Sequence, residues 1–246
     1  MPSGFTGDPF GYNRARREWA MRLRIDPYTS NPVLRPLLDN AALASFGGSF
    51  AVNTAIGAVA MPVNMVVEFD ATVRDQVWNH PAVDLARQNE ATLLHLGVAG
   101  RTTRDFLRNR WFTPSLQTAL VDALARLDGV GGIEPVIAVA SRLQGETRAR
   151  FLIDSVRMLA QYHQRDGRVA KLRMSELVPV AVAGDGTLVA AAAVDYVYWD
   201  KVAAEFAQRR DFAGKRRTLL VAGAASATAK EAFAKAGVTM RTDMRP

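Results

Sequence analysis

The chain contains no cysteine among its 246 residues. This absence excludes disulfide bonds, thiolate metal sites, iron–sulfur clusters and cysteine nucleophiles. Aromatic residues make up only 8% of the chain, and no internal repeat is visible, which argues against a solenoid. With 49% hydrophobic and 22% charged residues, the remaining composition is typical of a globular protein of one or two domains.

The chain also lacks a dense stripe of positive charge, although its net charge is +7. Short basic clusters lie at residues 14–17, 101–110 and 215–217, far apart in the sequence. Such a dispersed excess favours solubility and weak attraction to polyanions. It is a weaker indication of a nucleic-acid groove than one continuous basic stripe would be.

The N-terminal sequence has no apolar core of the kind that a secretory signal peptide needs. A cytoplasmic protein and a periplasmic protein whose leader has been removed are both consistent with this sequence. We therefore leave the compartment open.

The longest uncharged run spans residues 40–67, between Asp39 and Glu68. Its glycine and alanine residues favour a closely packed helix, and we expect a buried small-residue helix in the core. The run is also long enough to cross a bilayer, so a segment that inserts into or rests on a membrane is the alternative. Ser49 and other polar residues lower its hydropathy.

Helical signals dominate the first two thirds of the chain. Tyr12 to Arg24 has amphipathic spacing, and Asn31 precedes Pro32 as a cap and first-turn residue. Thr113 and Pro114 open another helix, and residues 146–164 form the longest predicted one.

The last third of the chain changes to strand-rich sequence. Residues 177–183 and 187–194 are apolar runs joined by an Asp-Gly pair, which predicts a β-hairpin. A helix, a strand, a second helix and a last strand follow, with the last strands parallel. The sequence thus predicts an α+β fold: a mainly helical N-terminal part followed by a small α/β unit, with the β-hairpin before α-β-α-β.

These patterns divide the chain into three predicted regions. An arm and a short helix occupy residues 1–35, a helical domain occupies 36–168, and a small α/β domain occupies 174–246. We place the domain boundary in the polar stretch 164–173.

No motif assembles a recognisable reaction centre. The three histidines have no metal-ligand spacing, and the Gly47-Gly48-Ser49 sequence lacks the last glycine of a nucleophile elbow. The loop that follows the strand at 217–222 lacks the lysine of a nucleotide-binding loop. We therefore predict no catalytic residues, no metal and no cofactor, with a hydrolase around Ser49 as an alternative.

One segment combines aromatic and acidic side chains. Asp195, Tyr196, Tyr198 and Trp199 form the densest such group in the chain. Aromatic rings with neighbouring carboxylates bind sugars, cations or protein partners. We predict that these four residues contact a partner or a ligand.

A second segment has the outline of a degenerate helix-hairpin-helix. A glycine turn after Leu93 to Leu96 offers backbone N–H groups for a phosphate, and the following sequence supplies positive charge. The residues that would contact nucleic acid are Arg101, Arg104, Arg108 and Arg110.

Taken together, the sequence favours a non-catalytic binding, scaffolding or assembly protein that contacts a protein partner or a second copy of itself. A membrane surface is a further partner class, through residues 41–67. The alternative function is that of a nucleic-acid-binding accessory protein.

Overall fold

The computed structural model describes residues 11–47, 69–209, 212 and 215–245. Most of the uncharged run and most of the predicted arm lie outside these residues. The described residues form ten helices and seven strands. The helices are α1 (Tyr12–Leu23), α2 (Leu34–Gly47), α3 (Ala71–Asn79), α4 (Ala82–His95), α5 (Gly100–Leu107), α6 (Pro114–Ala125), α7 (Ile133–Ala140), α8 (Glu146–Arg165), α9 (Lys201–Ala207) and α10 (Ala227–Lys235). The strands are β1 (Val169–Ser175), β2 (Val178–Ala183), β3 (Leu188–Ala192), β4 (Tyr196–Val197), β5 (Arg217–Val221), β6 (Ala224–Ala225) and β7 (Val238–Arg241).

These elements belong to two compact units. The first contains the described residues up to Gln88 together with Thr113–Thr118, and the second contains Asn89–Phe112 and the described residues from Ala119 onwards. The three predicted regions have different boundaries, and they stay a prediction.

In the first unit, α1 packs against α2 and α3. Ala20, Ile25, Leu34 and Leu38 form its buried apolar cluster, because the amphipathic faces of α1 and α2 meet there. The predicted cap is confirmed: the Asn31 side-chain oxygen accepts hydrogen bonds from the N–H groups of Val33 (2.9 Å) and of Leu34 (3.1 Å), the first residue of α2.

The second unit contains a mixed five-stranded sheet in the order β1-β2-β3-β5-β7. The pairs β1–β2 and β2–β3 are antiparallel, whereas β3–β5 and β5–β7 are parallel. This confirms the α+β fold class and the predicted hairpin, whose turn contains Gly186 at a φ of 82°. Glycine adopts this left-handed conformation without steric cost.

Helices cover both faces of the sheet because consecutive residues of its central strands β3 and β5 are apolar and buried. Helix α8 packs against β2 and β3. Leu219 and Val221 of β5 belong to a cluster whose helical members, Ala207, Ala229 and Phe233, come from α9 and α10. Since side chains alternate along a strand, this cluster lies on the sheet face opposite α8.

The predicted polar boundary contains a strand that the sequence analysis missed. Residues 169–175 form β1, an edge strand with exposed Lys171 and half-buried Arg173. Charged side chains are common on edge strands, and here they hide the alternation that identifies a strand. The loop at Gly131 covers the outer edge of β1, with two backbone hydrogen bonds of 3.1 and 2.7 Å to Ala170 and Leu172.

Candidate functional site

The aromatic–acidic segment lies beyond the carboxyl end of β3, beside the residues that follow β5. The Gly223 N–H donates to the Val194 carbonyl (3.0 Å), and the Ala224 N–H donates to the Asp195 carbonyl (2.9 Å). Strands β4 and β6 then pair in parallel. The carboxyl ends of parallel strands are where open α/β sheets bind ligands, so this position is suited to a binding site.

Two tyrosines of this segment share a face. Tyr196 and Tyr198 are 45% and 68% exposed, and their ring centroids lie 4.6 Å apart with an interplanar angle of 46°. Strand alternation directs both rings to the same side. Asp195 is exposed next to them. We call Asp195, Tyr196 and Tyr198 the aromatic surface.

Trp199 faces the other way. It is half-buried, and its ring meets Phe233 edge-on at a centroid distance of 5.2 Å. It packs against the apolar cluster between the sheet and α10. Of the four predicted contact residues, the structure therefore groups three on the surface, while Trp199 anchors the segment.

The remaining acid of the segment has a structural role. The Asp200 carboxylate accepts a hydrogen bond from the Ala203 N–H at 2.8 Å and caps α9. This cap fixes where the strand segment ends and the helix begins. Val202 follows in the first turn of α9 and is 71% exposed.

The same end of the sheet is locally acidic. After β7, the Asp243 N–H donates to the Gly223 carbonyl at 2.8 Å, so Gly223 lies between the chain segments of Asp195 and Asp243. Residues 195–205 and 242–245 together contain four acidic and two basic residues. The whole chain, in contrast, has 31 basic and 24 acidic residues.

The four predicted arginines lie on and just after α5. Thr103 and Phe106 are fully buried, and Arg101, Arg104 and Arg108 are exposed. The guanidinium of Arg110 lies 5.3 Å from the ring centroid of Trp111. Arg101, Arg104, Arg108 and Arg110 are called the basic surface below.

The turn before α5 uses two of its backbone amides to end α4. The Gly97 N–H donates to the Leu94 carbonyl (3.1 Å), and the Val98 N–H donates to the Leu93 carbonyl (3.0 Å). With Gly97 at a φ of 78°, this is a Schellman cap of α4. These turn amides are therefore used within the fold, and they are not directed at a phosphate.

The sequence of the same helix has the spacing of a capping box that the structure does not form. Thr102 and Asp105 have the spacing of such a box, but the residue at the N-cap is Ala99, which has no capping side chain. The Thr102 hydroxyl instead donates to Glu134 at 2.9 Å. Thr102 thus bonds to a residue far away in the sequence and not to the nearby backbone group that a capping box would use.

A buried acid, Asp26, lies in the first unit and is not among the predicted site residues. Asp26 and Ser115 are 4% and 0% exposed, and the Ser115 hydroxyl donates to the Asp26 carboxylate. The Tyr28 N–H donates to the same carboxylate oxygen at 2.8 Å. Because both side chains are closed to solvent, this pair stabilises the fold and does not meet a substrate.

The tyrosine beside this pair has a perturbed pKa. The Tyr28 hydroxyl donates to the His80 carbonyl at 2.9 Å. Burial raises the pKa of Tyr28 above 10.0, and the nearby charge and hydrogen bond of Arg17 oppose this rise. The phenol therefore acts as a neutral donor.

The histidines have separate surroundings. His80 Nδ1 lies 3.0 Å from the Gln76 carbonyl, His95 Nε2 lies 4.0 Å from an Asp128 carboxylate oxygen, and His163 accepts a hydrogen bond from the Val169 N–H at 2.9 Å. Among the described residues, no three acidic or histidine side chains are grouped closely enough to hold a metal ion. Ser49 lies outside the described residues.

A small cavity lies in the core between the sheet and α9. Phe206, Phe212 and Leu219 line it together with Arg217. The Arg217 guanidinium donates to the Ala207 carbonyl (2.8 Å) and to the Ala236 carbonyl. Arg217, the single charged residue that lines this cavity, therefore forms hydrogen bonds to backbone oxygens.

Comparisons with family models, with curated proteins and with solved structures find no match for this chain.

No helix within the described parts of the chain combines the length and apolar character needed to cross a bilayer.

Proposed function

We propose that this protein is a non-catalytic binding protein that docks a basic segment of a partner protein on its aromatic surface. The observation that carries this proposal is the exposed Tyr196–Tyr198 pair beside Asp195. Tyrosine is enriched at protein interfaces because it adds a large contact area with few rotatable bonds.

The aromatic surface is held in place before any partner arrives. Backbone hydrogen bonds at Asp195 fix one end, and the contact of Trp199 with Phe233 anchors the other. The Asp200 cap then fixes the start of α9. Such preorganisation lowers the entropy cost of binding.

The chemistry of this surface favours a cationic partner. The ring face of a tyrosine is electronegative and attracts the guanidinium of arginine or the ammonium of lysine. Asp195 adds a carboxylate that pairs with the same groups. The excess of acids at this end of the sheet supports the same preference.

A binding role is also supported by the surroundings of the reactive side chains. In the described residues, the three histidines lie apart and the Asp26–Ser115 pair is closed to solvent. A catalytic site needs such groups to converge at a place that a substrate reaches.

The test is fluorescence anisotropy with two labelled peptides of equal length, an arginine–glycine repeat and a glutamate–glycine repeat. We expect the full chain to bind the arginine peptide in preference. Tyr196→Ala with Tyr198→Ala should weaken this binding by about tenfold, since each exposed cation–π contact contributes about 0.5–1 kcal/mol. Tyr196→Phe with Tyr198→Phe should retain it.

Trp111→Ala is the matched control, because it removes an exposed aromatic residue outside this surface. Equal binding of both peptides, or equal loss in the control, would contradict the proposal. Sedimentation analysis of the wild type tests the alternative that a second copy of this chain occupies the aromatic surface. Self-association that the tyrosine-to-alanine variant abolishes would identify a second copy as the occupant and reject the cationic partner.

A further inference from the structure

A second surface of opposite charge lies on the helical part of the second unit. Residues 100–112 contain four arginines and a single acid, Asp105. Arg101, Arg104 and Arg108 follow at helical spacing, and the buried Thr103 and Phe106 direct them towards solvent. The fold therefore collects positive charge on the exposed side of α5.

Carboxylates do little to neutralise this charge. Arg101 and Asp105 are 4.0 Å apart at their nearest charged atoms, and their side chains are 90% and 54% exposed, so solvent screens the pair. Within the described residues, no carboxylate lies within 4.0 Å of the guanidinium of Arg104 or Arg108. Both groups are available to an external anion.

An exposed aromatic ring adjoins these charges. Trp111 is 40% exposed, with the Arg110 guanidinium over its ring. The backbone N–H of Trp111 donates to the side-chain oxygen of Asn109 at 3.0 Å. The side-chain NH2 group of Asn109 in turn donates to the Ala140 and Leu143 carbonyls at 2.8 and 3.0 Å. On the other side, the buried Phe112 packs against Phe106. Trp111 is therefore attached to a rigid turn.

From this arrangement we infer that the basic surface and Trp111 bind single-stranded nucleic acid. The arginines contact backbone phosphates, and the Trp111 ring stacks on an unpaired base. Basic side chains that follow a strand's backbone, together with an aromatic platform, are the recurring means of holding single strands.

The turn before α5 distinguishes a single strand from a duplex. In a helix-hairpin-helix, turn amides hold a duplex phosphate, but the Gly97 and Val98 amides already cap α4. In a duplex, moreover, the bases are stacked on each other and offer no free face to Trp111. We therefore expect a single strand to bind more tightly than a duplex of equal length.

The test is fluorescence anisotropy of a labelled thymidine oligonucleotide and of a mixed-sequence duplex of equal length, over a range of salt concentrations. For the single strand, the logarithm of affinity should fall linearly with the logarithm of salt concentration. Arg104→Ala with Arg108→Ala should reduce the slope by about 1.4, because each lost phosphate contact contributes about 0.7. Trp111→Ala should weaken binding on the order of tenfold and leave most of the slope unchanged.

Lys230→Ala with Lys235→Ala is the matched control, since it removes two exposed positive charges from α10. It should retain the affinity of the wild type, as should Tyr196→Ala with Tyr198→Ala. Circular dichroism and the melting temperature of each variant report whether it folds. The inference would be overturned by tighter binding of the duplex or by the absence of any binding. Equal losses of affinity in the lysine control, or equal competition by a glutamate peptide, would overturn it as well.

Discussion

The main chain of Gly223 lies against the carbonyl group of Asp195, and a Cβ atom at position 223 would overlap that carbonyl oxygen. Hydrogen bonds from the Gly223 and Ala224 N–H groups join the two segments at this place. A glycine is therefore required for the aromatic segment to lie alongside the residues that follow β5.

Gly223→Ala should separate these two segments. Forcing a methyl group into a packed site costs about 1–3 kcal/mol, and we expect a loss of this size in the free energy of unfolding. Binding of the arginine peptide should weaken as well, because Tyr196 follows Asp195 directly. Urea denaturation and peptide anisotropy measure the two effects.

Gly184→Ala is the control for this substitution. The nearest heavy atom to a Cβ there is the Arg168 carbonyl oxygen at 3.8 Å, an ordinary van der Waals distance. If Gly223→Ala were as stable as Gly184→Ala and bound the peptide equally well, the close approach would not be what positions the aromatic surface.

Much of this fold was predictable from local patterns. The Asp185-Gly186 turn between two apolar runs specified the β2–β3 hairpin, and Asn31 before Pro32 specified the start of α2. In both cases, the residues that determine the structure are neighbours in the sequence.

Other features depend on partners far apart in the sequence. Strand β1 carries charges and relies on Gly131 to cover its edge, so its own sequence resembles a linker. Ser115, which donates to Asp26, is 89 residues away from it. The inward direction of Trp199 depends on Phe233, whereas the sequence alone grouped Trp199 with the exposed tyrosines.

The buried Asp26–Ser115 pair should be energetically coupled. Asp26→Ala leaves the Ser115 hydroxyl and the Tyr28 N–H without this acceptor, and an unsatisfied buried polar group costs about 1–3 kcal/mol. A double-mutant cycle with Ser115→Ala, measured by urea denaturation, should give a coupling energy of about 0.5–3 kcal/mol. Additive effects of the two substitutions would show that the hydrogen bond contributes no stability.

The raised pKa of Tyr28 predicts a loss of stability at alkaline pH. The unfolded chain releases the phenolic proton near pH 10, whereas the folded chain retains it to higher pH. The stabilisation is therefore complete below pH 10 and is lost as pH rises through the folded-state pKa. Tyr28→Phe should show a shallower decline in the free energy of unfolding above pH 10 than the wild type.

Urea denaturation from about pH 8 to about pH 11, on both sides of the usual tyrosine pKa, tests this. At the lower pH, Tyr28→Phe should be less stable by about 1 kcal/mol, because it loses the hydrogen bond to the His80 carbonyl. Parallel stability curves for the two proteins over the whole range would contradict the assignment.

We expect this chain to bind two chemically different partners on two separate surfaces. Backbone amide chemical shifts of the full chain, recorded with the arginine peptide and separately with the thymidine oligonucleotide, test it most directly. The peptide should shift the amide signals of residues 195–202 and 223–226, and the oligonucleotide should shift those of residues 99–112. Shifts at one common set of residues, or no shifts with either ligand, would contradict it.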